Sequence, residues 1–240
     1  MLRRAWSAFV DGPSYPATAA DRQTIRLFGL DLPLRATTAI IAVTLILLFD
    51  FSRTAIPEEI QAVGRAASAI RYQAVTRIVL FLLVPMAIVA FTFRDRPLDY
   101  GLRIGSWRWG LGLALIGCAV MTPIVLAVGS NPDFRNYYSV SSASTGDLLV
   151  TNILDLVPTE FLFRGFLMFT LLRAIGPLGL IVAQLPFVFA HLGKPEIELF
   201  STLFGGSVFG WLDWRTRSIW WSALAHIYIL TLVVVVASSG

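Results

Sequence analysis

From residue 36 onward, long apolar runs alternate with short polar connections rich in arginine. The runs approach the ~20 residues that a helix needs to cross a bilayer core. None shows the alternation over about ten residues that marks a transmembrane β-strand. The pattern predicts helices near 36–51, 73–93, 109–129, 147–173, 177–192, 197–212 and 218–238. It describes an all-α, polytopic transmembrane helical bundle of about seven spans, or eight if one is re-entrant. Residues 1–33 are polar and interrupted by Pro13, Pro16 and Pro33. They read as a cytoplasmic arm, part of it expected as a helix lying on the surface. Residues 34–240 read as a single membrane domain, with a polar connection at Glu58, Glu59 and Arg65. The turn-rich stretch "SNPDFRNYYSVSSASTGD" (130–147) is expected as a loop.

Composition strengthens this picture. Hydrophobic residues make up 56% of the 240 and charged ones 14%, against about 25% charged in soluble domains. The net charge of +4 comes from arginines in the connections, so no nucleic-acid partner is expected. With the N-terminus inside, inner segments hold twelve Lys and Arg and outer segments five, the bias that inner loops carry. Seven spans then leave the C-terminus outside. No apolar signal-peptide core follows Arg3 and Arg4. The lone Cys118 excludes an internal disulfide and a cysteine metal cluster. The expected location is multi-pass in a bacterial inner (plasma) membrane, with the lipid bilayer as partner.

Ionisable side chains inside spans are costly and mark function by default. Asp155, Glu160, Arg164, His191 and His226 fall within predicted helices, all in the C-terminal half, with Arg77 near a helix end. Both histidines of the chain are among them. A carboxylate and two imidazoles can activate water and stabilise an oxyanion. The same trio could hold zinc with an open position, or relay protons in a transporter. The plainer reading is also open: Glu160 and Arg164, spaced i and i+4, suit an ion pair on one helix face, and buried histidines can simply satisfy carbonyls. A transporter would need an internal repeat or paired helix breaks, and Gly205-Gly206 has no counterpart.

The motifs "TEFLFRG" (159–165), "FVFAH" (187–191) and "HIYIL" (226–230), in that order, resemble the CPBP family of intramembrane proteases. This family contains the type II CAAX prenyl endopeptidases and the Abi bacteriocin-processing proteins. The resemblance covers about 94–235, including "YGLR…WRWG" and "GWLDWRTRSIWWSALAH". The family pattern is Glu-Glu-x-x-x-Arg, then Phe-x-x-x-His, then His-x-x-x-Asn. Glu160 matches the second glutamate, Arg164 the arginine, Phe187 and His191 the second motif, and His226 the last histidine. Thr159 stands where the first glutamate would be, and Leu230 where the asparagine would be. Threonine is no base at neutral pH, and leucine donates no hydrogen bond.

The resemblance implies an endopeptidase cutting a peptide or protein near a membrane-embedded or lipidated terminus. Glu160 with His191 would activate water, His226 would hold the oxyanion and Arg164 would position Glu160, with Asp155 as reserve base. A glutamic mechanism needs no cofactor. If zinc is bound, its ligands would be Glu160, His191 and His226. The alternative is a catalytically inactive relative that keeps the fold as a membrane binding or immunity protein.

Overall fold

The computed structural model describes residues 12–52, 67–139 and 144–239. Arg3, Arg4, Glu58, Glu59 and Arg65, used above for the arm, the charge count and the first connection, lie outside the described residues. Helix α1 is Leu34–Ser52. Helix α2 is Ala67–Arg77, continued by π-helical Ile78–Leu83, an α-turn Val84–Ala87 and π-helical Ile88–Thr92. Then come α3 (Trp107–Val128), α4 (Pro132–Tyr138) and α5 (Thr145–Glu160). A π-helical segment, Phe161–Met168, joins α5 without a break to α6 (Phe169–Ile175). Helices α7 (Leu178–Phe189), α8 (Glu196–Thr216) and α9 (Trp220–Ser238) complete the bundle.

Among the described residues, four helices are long and apolar enough to cross a membrane: Leu34–Ser52, Ile70–Thr92, Trp107–Val128 and Trp220–Ser238. The chain is a membrane protein, and its all-helical architecture is the expected one. The other three predicted helices are also present but differ in kind. Helix α7 is apolar and short. Helix α8 carries Glu196, Glu198, Asp213 and Arg215. The α5–α6 rod is the centre of the bundle: every residue from Leu156 to Leu172 except Val157 is buried. The outer helices show the complementary pattern. Ile40, Ile41, Leu45 and Leu48 of α1 and Leu115, Ile116 and Val120 of α3 are exposed, an apolar surface that a lipid solvent tolerates and water does not.

Two local features were not expected. The described part of the arm forms a β-hairpin, β1 (Thr24–Leu27) antiparallel to β2 (Leu30–Pro33), and residues 1–11, where the expected surface helix could fall, lie outside the described residues. Phe28 and Gly29 turn the chain with φ of 50° and 81°, the left-handed pair that a two-residue hairpin turn requires. The stretch expected as a loop after α3 contains α4. Asn131 caps it by accepting from the Asp133 amide, with Pro132 in the first turn. Phe134 and Tyr138 then pack with Val233, Val234 and Ala237 of α9.

Ion pairs tie the helices together. The Arg77 guanidinium bridges Asp50 of α1 at 2.9 Å and Asp155 of α5 at 2.8 Å. At the other end of α1, Arg35 meets Asp21 of the arm at 2.8 Å and Asp95, beyond α2, at 2.9 Å.

Candidate active site

The site begins with a weak point in the α5–α6 rod. Pro158 has no N–H to offer the helix ladder, so the hydrogen bonding of the preceding turn is incomplete. The Thr159 hydroxyl donates to the Asp155 carbonyl at 2.7 Å, a bond that bends helices. Directly beyond, at Phe161, the helix widens into π geometry, a form that recurs at functional sites. Glu160 is the last residue before the widening, and both it and Arg164 are fully buried.

Glu160 is satisfied from two sides. Arg164 donates Nη1–H to Oε2. From α9, Ser222 and His226 lie one turn apart on one helix face and straddle the carboxylate. Ser222 Oγ is 3.2 Å from Oε2, and His226 Nδ1 is 2.7 Å from Oε1. Rings enclose the arginine: its guanidinium carbon lies 4.1 Å from the Phe187 centroid and 5.4 Å from that of Phe209. Such cation–π contacts are worth up to about 2 kcal/mol when desolvated. Phe187 can come this close because α7 and α8 cross at Gly206, where a Cβ would press into Phe187 and Gln184.

His191 sits in the turn that closes α7. Its Nδ1 is 2.8 Å from the Phe187 carbonyl, and the rings of Phe187 and His191 are 4.6 Å apart. The Phe187 ring is also 6.2 Å from that of His226, so one aromatic side chain touches both imidazoles. The partners dictate the tautomers. A carbonyl can only accept, so His191 carries its hydrogen on Nδ1. An ionised Glu160 likewise makes His226 Nδ1 the donor. In the neutral rings the Nε2 atoms therefore both hold lone pairs, the state a proton acceptor needs.

Of the residues singled out in the sequence, the structure brings Glu160, Arg164 and His226 into direct contact. It places His191 beside them through Phe187. Asp155 is instead bonded to Arg77. Thr159 is engaged with its own helix. Sequence reasoning missed Asp213 and Ser222. Asp213, fully buried on α8, has Oδ2 2.7 Å from Ser222 Oγ. Asp213 looks like part of a connection because Trp214, Arg215 and Arg217 surround it. The available signal was a period: Thr202, Gly206, Gly210 and Asp213 recur every three or four residues and form the buried face of α8.

Among the described residues no three His, Cys, Asp or Glu side chains gather to hold a metal. Both Glu160 oxygens are hydrogen-bonded, one of them to a guanidinium, and His191 Nδ1 is engaged by the Phe187 carbonyl.

Residues 141–232 match the family model for Type II CAAX prenyl endopeptidase Rce1-like proteins. This match agrees with the CPBP resemblance drawn from the three motifs, and the matched stretch contains Glu160, Arg164, His191, Asp213, Ser222 and His226. No curated protein and no solved structure matches the chain.

Proposed function

We propose that the chain is an intramembrane endopeptidase that hydrolyses a peptide bond near a membrane-embedded or lipidated protein terminus, in a bacterial inner membrane with its N-terminus inside. The observation that carries this reading is the 2.7 Å contact between Glu160 Oε1 and His226 Nδ1. Glu160 is enclosed and its oxygens are taken, so it serves as orienter rather than as base. It holds the imidazole in one tautomer and stabilises the imidazolium that forms, the task a carboxylate performs behind a catalytic histidine. His226, with 15% of its side chain exposed, stands between that buried carboxylate and the outside of the bundle.

In this mechanism His226 Nε2 takes a proton from water as the oxygen attacks the scissile carbonyl. The resulting Nε2–H then donates to the leaving amine as the C–N bond breaks. His191, its Nε2 lone pair also free, orients the same water. Arg164 keeps Glu160 ionised and in place. Neither Thr159 nor Leu230 is needed for these steps, which is why their departure from the family pattern is compatible with turnover.

The test compares protein termini in membranes from cells producing the wild type, His226→Ala or His191→Ala at equal levels. The expected result is a cleaved terminus present with the wild type and absent with both variants. Identical termini in all three would overturn the proposal and leave the inactive-relative reading.

A further inference from the structure

Ser222 Oγ stands within hydrogen-bond range of three acceptors: Asp213 Oδ2 at 2.7 Å, the Ile219 carbonyl at 2.9 Å and Glu160 Oε2 at 3.2 Å. A hydroxyl has one hydrogen to give. Two oxygens 2.7 Å apart have a hydrogen between them, and it can come from either side. If it belongs to Ser222, nothing from the serine is left for Glu160. If it belongs to Asp213, the serine's own hydrogen is free for the glutamate.

Charge decides between the two. The charged groups facing Asp213 are Glu160 and Arg164, with Tyr15 of the amino-terminal arm also close. Asp213, Glu160 and Arg164 are all fully buried. One guanidinium therefore faces two carboxyl groups, and its hydrogen bond goes to Glu160. Arg164 Nε and Nη2 reach no acceptor, and Asp213 Oδ1 has no partner. A second, uncompensated negative charge in this interior would be strongly unfavourable. The carbonyl oxygen of a neutral acid tolerates the same surroundings far better.

We propose that Asp213 is held as the neutral acid and is a positioning residue: it donates to Ser222, which in turn donates to Glu160 Oε2. The carboxylate then receives hydrogens from both sides, from Ser222 and Arg164 on Oε2 and from His226 on Oε1. A continuous chain, Asp213–Ser222–Glu160–His226, links α8, α9 and the end of α5. Its last bond is the one that fixes the His226 tautomer. The importance of that bond for catalysis rests on the proposed function above; the protonation of Asp213 does not.

The experiment is infrared spectroscopy of the full chain in lipid nanodiscs at neutral pH. The wild type should show the C=O stretching band of a protonated carboxyl group. The band should vanish in Asp213→Asn, persist in Glu160→Gln and shift in Ser222→Ala, where the acid loses its acceptor. Absence of the band from the wild type would overturn the proposal. So would a band that survives Asp213→Asn and vanishes in Glu160→Gln. If Asp213→Asn does not accumulate, Ser222→Ala decides: an unshifted band rejects the proposal. No turnover is measured, so a failed protease reading and a failed Asp213 assignment give different results.

Discussion

Two clusters of charge in this bundle, one around Arg77 and one around Glu160, are built differently. Around Arg77, one guanidinium joins two carboxylates from two other helices, with all three side chains between 5% and 22% exposed. Every ionised partner there is a plain acid or base, and the contacts hold α1, α2 and α5 together. Around Glu160 the ion pair is fully buried, yet atoms of Arg164 and Asp213 remain without partners, and an imidazole is attached. An ion pair in a membrane helix is thus not a functional signal in itself. The difference lies in what is left over: the Arg77 staple uses its valences, whereas the proposed site keeps unpartnered polar atoms and an imidazole.

Substitutions can break that comparison, beginning with the largest effect. Glu160→Gln leaves the shape but can present its amide hydrogens to His226 Nδ1, favouring the wrong tautomer; processing should fall by about 10⁴. A fall of less than tenfold in the processing assay would reduce Glu160 to a structural role. Arg164→Met strands the Glu160 charge, and truncating one partner of a buried pair costs about 3–5 kcal/mol. A sharply lower melting temperature in detergent is expected, together with loss of processing.

Arg77→Met should cost less, roughly 2–3 kcal/mol, because Arg77 and Asp155 are partly exposed. The decisive reading is that processing per folded molecule stays unchanged; if it drops as steeply as in Arg164→Met, the two clusters are not distinct. Smallest is Thr159→Ala. Its hydroxyl serves only its own helix, so stability should change by about 1 kcal/mol or less while processing persists. Loss of processing there would return a catalytic role to position 159.

Much of this was legible in the sequence, because apolar runs and breaks are local features. The seven predicted helices all appear, and Glu160, Arg164 and His226 stood out as charges or rings in apolar surroundings. What was not legible depended on partners distant in the chain. Asp155 shares a helix face with Thr159 and looked like a spare base until α2 brought Arg77 against it. Asp213 looked like part of a connection until α8 proved to run through it to Thr216. The hairpin escaped because four-residue strands carry too little periodicity to compete with prolines and charge, and α4 because a seven-residue helix full of polar groups reads as a turn.

The widened turns between Phe161 and Met168 have a consequence for insertions and deletions. A π-turn holds one residue more than an α-turn of the same rise. Deleting a single residue there lets the rod relax to regular α-helix with both flanking segments still facing their present neighbours, whereas the same deletion in a regular stretch would rotate one side by about 100° against the other. Asn152, which donates to Thr231 of α9 at 2.9 Å, and Asp155 would keep their partners, while a deletion between Glu160 and Arg164 would cut the spacing of that pair from four residues to three. Composition and hydropathy would scarcely change. The widened turns are therefore the place where the rod absorbs a one-codon deletion with least disturbance to the bundle, the damage being confined to the Glu160–Arg164 contact.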